Sequence, residues 1–539
     1  MITKLPILST LIFLPVFFAF AMAFLPENRP KLIHGVATGF SLVLFYLSIF
    51  AWGFSISGKM IFPAENMPWL PSLGIHYSVA ADSISWMLVV LTTFLLLMSV
   101  IASMTSIQKR LKLYYALLFI IATSLLGVFL AHDMFLFFLF WELELIPMYL
   151  LISIWGGARK DYASMKFVLY TLLGSAFMVA AILGLFYLGR THLGQVSFDY
   201  DFVSTHIVPT LSIGAQVLIF LGLFIAFAVK LPMVPFHTWL PDAHVEAPTP
   251  VSMLLAGIML KMGAYGMLRF CFAWFPLAAQ VLAPYLVLIG VINIIYTAGV
   301  AMVQADLKKL IAYSSVSHMG FVLVGLGALN AIGFNGAMFQ MISHGLISAG
   351  LFMIVGTVYN RTHTRMIAEL GGIGKVVPGA YFFAIVLAMA SLGLPLLGGF
   401  PAETLVFYGA FLSKAFTHIA FGHFILPWSI QILTIVAALG VVLAAAYLLW
   451  MLQRVFMGTL YSQWADLTDL LTSEAIVLTC LVVVMAAVGL FPNQLMKHFE
   501  PQVSLMAQPY EKIKVVKKKP ISVVLKAHPV LAQSAFGSR

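Results

Sequence analysis

Two lysines, Lys230 and Lys261, stand in runs apolar enough to lie inside a bilayer, with Pro232, Pro235, Pro241, Pro248 and Pro250 between them. A lysine at the centre of a spanning helix costs roughly 2.5–3.5 kcal/mol on insertion scales, so it needs a partner or water and is by default a functional candidate. The prolines remove backbone donors and clash with the preceding turn, so the first of these spans must break close to a cation. Discontinuous helices with an ionisable group at the break are how secondary transporters build ion sites at mid-membrane depth.

Carboxylates are available to balance that charge. Glu142 and Glu144 lie in FLFWELELIPMYL, and at about 100° per residue they point roughly 200° apart, so one site facing the bundle can use only one of them directly. Lys230 precedes Leu-Pro-Met-Val-Pro, where carbonyls freed by proline stabilise an ammonium or bound water. A Glu/Lys pair in low dielectric passes a proton at modest cost. Lys261, in GIMLKMGAYG, has no acid on its own helix within reach, so its charge must be met from another helix, by water or by loss of its proton. Snorkelling to an interface is the plain alternative for both lysines, and the length of apolar sequence around each argues against it.

His318 in AYSSVSHMGF and His344 in MISHGLISAG fall on consecutive spans. A lone histidine in an apolar helix is usually a packing residue, but two of them beside serines fit a proton relay, because histidine titrates nearest physiological pH. In SLGLPLLGGFPAETLVF, Pro395, Gly398, Gly399 and Pro401 interrupt a later span and Glu403 stands close to that break. His237, Asp242, His244 and Glu246 follow the first break and read as solvated interfacial loop residues that could line an entry path. The candidate proton carriers are therefore Glu142, Lys230, Lys261, His318, His344 and Glu403, with Glu144 and His237 as further candidates. Their spread over several helices suggests lateral proton movement along the membrane midplane, and nothing among them suits an organic substrate.

The elements that must position these residues follow from composition. Hydrophobic residues make up 62% of the chain and charged residues 9%, with mean hydropathy +1.03, which is the composition of an all-α polytopic membrane protein. Apolar runs near 1–25, 33–54, 80–104, 113–131, 134–155, 165–188, 211–231, 250–273, 279–303, 309–328, 334–358, 378–413, 427–452 and 474–492 predict about fourteen spans, the first an uncleaved helix. Arg29 and Lys31, Lys109 to Lys112, Arg159 to Lys166, Lys308 and Lys309, and Arg361 to Lys375 fall in loops of one parity, which the positive-inside rule makes cytoplasmic. Loops 55–79, 189–210 and 414–426 have the other parity and few basic residues. The two interrupted spans, about five helices apart and oppositely oriented, predict two inverted five-helix repeats over 111–273 and 274–455, after helices 1–3 in 1–110 and before a last helix and basic tail in 456–539. That tail, with Lys512, Lys514 and Lys517 to Lys519, falls outside by count and reads as a loosely ordered segment touching a partner or lipid headgroups. Cys271 and Cys480 sit in apolar runs with no second ligand at metal spacing, so the chain should hold no haem, iron–sulfur or zinc centre. The net charge of +10 is distributed over short loops and does not argue for nucleic acid.

FFLFWELELIPMYLL, VKLPMVPFHTWLPDAHVEAPTPVSMLLAGIMLKMGAYGMLR, DLKKLIAYSSVSHMGFVLVG and MISHGLISAGLFMIVGTVYNRTHT together resemble the antiporter-like subunit M, or chain 4, of respiratory complex I and its photosynthetic NAD(P)H dehydrogenase-like relatives. The resemblance covers roughly residues 80–460. It implies that Glu142 on the fifth span pairs with Lys230 on the broken seventh, that Lys261 is the central lysine of the eighth, and that His318, His344 and Glu403 continue the chain. Glu144 has no counterpart in that pattern. The resemblance further implies that electrons pass from NAD(P)H or ferredoxin to quinone in other subunits, which hold the iron–sulfur clusters and flavin. This chain would then move protons when the Glu142–Lys230 pairing changes and the Lys230 proton is pushed towards Lys261. Its partners would be neighbouring antiporter-like subunits and lipid, in a bacterial plasma or thylakoid membrane. The D-type subunit of a multi-subunit cation/proton antiporter and the homologous subunit of a membrane-bound hydrogenase share these features and remain alternatives. A purely structural scaffold would leave lysines in two spans unexplained.

Overall fold

The computed structural model describes residues 6–56, 64–195, 197–422 and 424–512, and among them long apolar helices dominate. Twelve are long and apolar enough to cross a membrane, and the shorter apolar helices Ile7–Ala23 and Pro378–Ser391 fall in two further runs expected to span. The chain is a multi-pass membrane protein. Their burial is graded: the apolar windows of Thr249–Phe272 and Ala331–Thr362 are 100% buried, whereas those of Pro30–Gly53 and Thr472–Leu490 are 28% buried, so the helices of Lys261 and His344 form the centre. Short hairpins, Glu65–Leu70 with Ile75–Val79 and Ile419–Phe421 with Phe424–Leu426, occupy two of the long loops that are poor in basic residues.

Four spans depart from regular helix, and each departure lies beside a candidate residue. The fifth span divides at Glu144 into Met134–Leu143 and Leu145–Trp155. Pro147 cannot donate to the Leu143 carbonyl, and the Phe140 carbonyl, which the Glu144 amide would take in a continuous helix, accepts the Ser124 hydroxyl at 2.6 Å. The seventh span runs as Ile213–Lys230, breaks over residues 231–238 and resumes as Trp239–Glu246. Asn293 supports this break by accepting the Val234 amide at 2.7 Å and donating to the Pro232 carbonyl at 3.4 Å, while the Trp239 indole donates to the Val229 carbonyl at 2.9 Å. The eighth span has widened turns at Leu255–Met259 and Met267–Phe272, on either side of Lys261. The twelfth breaks between Pro378–Ser391 and Gly399–Leu412.

Two sequence expectations are corrected here. Residues after the first break are not a solvated loop: Trp239–Glu246 is the inner half of the broken span, and His237, His244 and Glu246 are buried. Five prolines disguise that half-helix in the sequence, because they shorten its apolar run below spanning length. The segment after Pro492 is also not loose as far as it is described. Pro492–Lys512 is a helix, and Tyr510 near its end donates to the Phe272 carbonyl at 2.6 Å and packs its ring on Phe334. Phe272 and Phe334 lie at the ends of their spans opposite the basic loops, so this helix rests on the outer side. Lys514 and Lys517 to Lys519 lie outside the described residues.

Candidate functional site

Lys230 is the last residue of its half-helix, where unpaired carbonyls and the negative end of the helix dipole favour a cation. Its ammonium is in direct contact with the Glu144 carboxylate, and the rings of Trp141 and Phe167 lie 5.5 and 5.4 Å from Nζ. Lys230 is 1% exposed and Glu144 0%. The contact expected of Glu142 is therefore made by Glu144. Glu142 is only partly buried, faces Ser175 and remains within electrostatic reach of Lys230. Helical periodicity accounts for the exchange: Glu144, whose backbone stays helical, shares the buried face of Phe137, Trp141, Met148 and Leu151, whereas Leu143 and Ile146 point outward, 40% and 71% exposed.

Lys261 has polar partners on its own helix and on another, and no carboxylate among the described residues pairs with it. Its Nζ lies 2.9 Å from His344 Nδ1 and donates to the Ala256 carbonyl inside the widened turn. Close approach of the two helices makes this possible, since a Cβ on Gly345 would stand 2.8 Å from the Gly257 carbonyl oxygen. From His344 the groups continue at wider spacing. Its ring centroid is 5.7 Å from that of His318; His318 Nε2 is 3.1 Å from the Ser391 hydroxyl, and its Nδ1 is 3.7 Å from Glu403 Oε1 and 3.4 Å from Gln340 Nε2. Ser391 and Glu403 sit on the two sides of the twelfth-span break. Gly393 within it has φ +69°, and a Cβ there would come 2.6 Å from the Glu403 carboxylate, so glycine is required on both counts.

His318, Gln340, Ser343, His344, Ser391 and Glu403 line a cavity with room for about one water. The structure thus joins Lys261, His344, His318 and Glu403 into one line and places Lys230 with Glu144 at the neighbouring break. His237 lies apart from that line, buried between the rings of Tyr296 and Tyr313 at 6.1 and 6.2 Å. Asn293, Ser391 and Gln340 were not singled out in the sequence, although a lone amide in the apolar run IGVINIIYTAG is a visible signal. Among the described residues no group of three or more His, Cys, Asp or Glu is arranged to hold a metal ion.

Residues 131–429 match the family described as NADH:quinone oxidoreductase/Mrp antiporter, transmembrane. The chain is 41% identical over 494 residues to NAD(P)H-quinone oxidoreductase chain 4 2 of Thermosynechococcus vestitus, covering 91% of this chain and 90% of that one. It is 40% identical over 508 residues to chain 4-1 of Synechocystis sp., covering 93% and 94%. Among solved structures it superposes on a chain of respiratory complex I from Thermus thermophilus with bound NADH at TM-score 0.81 and 27% identity, covering 93% of this chain and 99% of that one. A chain of the Mrp complex from Dietzia sp. shares the fold at TM-score 0.78 and 23% identity, covering 93% of this chain and 52% of that one.

Proposed function

The chain belongs to the NADH:quinone oxidoreductase/Mrp antiporter family as an antiporter-like subunit of the chain 4, or subunit M, type, and on that premise we propose that it carries protons through buried side chains, driven by quinone reduction in partner subunits. The observation that carries this reading is the close succession of Lys261, His344, His318 and Glu403, running between helix centres where isolated ionisable groups are too costly to be idle.

Lys230 holds a proton while its ammonium faces Glu144, with Glu142 as the alternative carboxylate on the same span. Repulsion or loss of the Glu144 contact, transmitted from a neighbouring subunit, releases that proton towards Lys261, because an ammonium stripped of its counter-charge in low dielectric is unstable. Lys261 passes it to His344, whose ring is placed to hand it to His318, and Glu403 receives it beside the second break. The two breaks supply hinges at which each contact opens. Redox cofactors belong to the partner subunits of the oxidoreductase, as the names of the chain 4 relatives support.

The test is proton pumping by the intact complex in sealed vesicles, with quinone reduction followed in parallel, comparing the native chain with Lys230→Ala and Lys261→Ala. Loss of pumping together with coupled turnover supports the proposal. Native pumping in both assembled variants overturns it, and proton flux driven by a cation gradient with no quinone-linked activity replaces it with the antiporter reading.

A further inference from the structure

Basic residues gather in the inner loops, yet Arg269 stands at the opposite end of the eighth span, in the widened turn that ends at Phe272, and is only 8% exposed. Its guanidinium bonds the Asp82 carboxylate at 2.6 Å, the Tyr265 hydroxyl at 3.2 Å and the Ser85 hydroxyl at 3.4 Å, and lies 5.4 Å from the centre of the Tyr200 ring. Asp82 caps the third span, Ser83–Ser106, by accepting the Ser85 amide at 2.9 Å. Its side chain is 22% exposed, so the ion pair is where this cluster reaches the outer surface. Tyr265 donates onward to the Phe129 carbonyl of the fourth span, Leu111–Leu130, at 3.1 Å, and Tyr200, which follows the seven-residue-shorter arm of no span but the outer loop 189–210, donates to the Arg269 carbonyl at 3.2 Å.

Tyr265 and Arg269 follow Lys261 at four and eight residues on the same helix, roughly 6 and 12 Å along its axis. A proton held at Lys261 therefore has two ways out: sideways to His344, or straight along its own helix, past the Tyr265 hydroxyl, to the outer water at Asp82. The helix dipole favours a cation at this end, but a solvated side chain would serve the dipole equally well, and a buried ion pair adds little net stability over apolar packing. Arginine keeps its charge in a protein interior and has no proton it can give up. Set across a narrow passage, such a charge repels protons and other cations, as it does in water-conducting pores.

We propose that Arg269, held in place by Asp82, is the outer seal of the first half of this subunit: a fixed positive charge on the Lys261 helix that bars a proton from leaving Lys261 directly for the outer side and so commits it to the lateral line through His344. Arg269 itself carries no proton in this scheme. It acts by position and charge.

This inference rests on the proton-carrying role proposed above. It is tested in the intact complex in sealed vesicles by two readings, the decay of an imposed pH gradient with quinone reduction inhibited and the protons moved per electron during coupled turnover. Arg269→Gln keeps a donor for Tyr265 and Ser85 and removes the charge. The seal predicts that the gradient decays at least threefold faster and that protons per electron fall by at least a quarter while quinone reduction continues. Adding Lys261→Ala to Arg269→Gln returns the decay to the native rate, because the leak starts at that lysine. Asp82→Asn weakens the same ion pair but keeps the cation, so its vesicles stay tight. Where Arg269→Gln fails to assemble with Asp82 stranded, Arg269→Gln combined with Asp82→Asn removes both charges together and leaks in the same way. A structural role predicts that Arg269→Gln and Asp82→Asn lose thermal stability alike, with native gradient decay and native protons per electron in the assembled complexes, and that result overturns the seal. A leak that persists when Lys261→Ala is added also overturns it, since the route then lies through loosened packing. Lys261→Ala alone separates the two failures: if it stops pumping while Arg269→Gln stays tight, only the seal falls, and if it pumps normally, the proposed function falls with it.

Discussion

Glu144 and Lys230 form a fully buried ion pair in which each residue sits where its own helix is interrupted, the carboxylate at the division of the fifth span and the ammonium at the end of the first half of the seventh. Both ends of the pair thus lie at the limits of regular helical segments.

The first prediction separates the two carboxylates of the fifth span. Removing one partner of a buried ion pair costs roughly 3–5 kcal/mol, because the other charge is left in low dielectric. Glu144→Gln therefore lowers the thermal stability of the assembled complex, whereas Glu142→Gln, at a partly exposed position facing Ser175, leaves it nearly unchanged. Both variants lose proton pumping. A thermal-shift comparison of the two purified complexes decides the point, and a larger loss of stability in Glu142→Gln would contradict the pairing.

Asn293 supplies the second prediction. Its side chain accepts the Val234 amide and donates to the carbonyls of Pro232 and Val316, so it closes the hydrogen bonding of the break beside Lys230. Asn293→Leu fills the same space and strands those groups, at about 1–3 kcal/mol for each that finds no new partner. The expected outcome is an assembled complex with reduced coupled turnover and easier proteolysis between residues 231 and 238. Asn293→Ser, which keeps a hydroxyl as donor and acceptor, should recover part of the loss. Equal proteolysis of the native chain and Asn293→Leu would show that the break is held by its prolines alone.

How much of this was legible in the sequence depends on which force sets each feature. The spans and the two broken helices could be read because hydrophobicity and proline chemistry are local, and four of the candidate residues, Lys261, His344, His318 and Glu403, lie near one another in the fold. The partner of Lys230 was not legible. Helical periodicity correctly says that Glu142 and Glu144 diverge, but which of the two faces the bundle depends on which side of the span packs against its neighbours, and the run FLFWELELIPMYL is apolar on both sides. Likewise Lys308 reads as a loop charge until the fold packs the Trp239–Glu246 half-helix over it. The same half-helix was hidden by the prolines in and around it, so the burial of His237, His244 and Glu246 could not be anticipated.

A third prediction concerns what holds the second half of the molecule together. Arg361, at the inner end of the His344 helix, bonds the Glu474 carboxylate at 2.6 and 3.1 Å and the carbonyls of Thr468 and Asp469 at 2.6 and 2.7 Å. Glu474 is 1% exposed and also accepts the Leu471 amide, which fixes the start of the Thr472–Leu490 helix. Arg361→Lys keeps the charge but lacks the planar fork that engages these acceptors together. It should lower the melting temperature of the complex with little effect on turnover per assembled molecule, and Arg361→Met should lower it further by stranding Glu474. A melting temperature unchanged in both variants would assign the junction to apolar packing instead.

The last prediction concerns His318, the middle residue of the proposed proton chain. His318 stands between the His344 ring and the Glu403 carboxylate, and its Nε2 is already engaged with the Ser391 hydroxyl, so its Nδ1 is the atom that faces Glu403 and Gln340. Substitution by glutamine keeps a polar side chain able to bond Ser391 but cannot take up and release a proton. If the relay runs through the imidazole, His318→Gln slows pumping and coupled quinone reduction together by roughly tenfold, the effect of about 1.4 kcal/mol on the barrier, while assembly stays normal. Glu403→Gln, which removes the acceptor beyond it, should slow the complex by a similar factor, and the double variant should add little, because two links of one chain are not independent. The alternative route runs through the cavity beside it, where the Ser343 hydroxyl and the Gln340 carbonyl have no protein partner among the described residues and a water could carry the proton past the ring. Pumping within about twofold of native in His318→Gln, with Gln340→Leu now severe, would move the path from the histidine to that cavity.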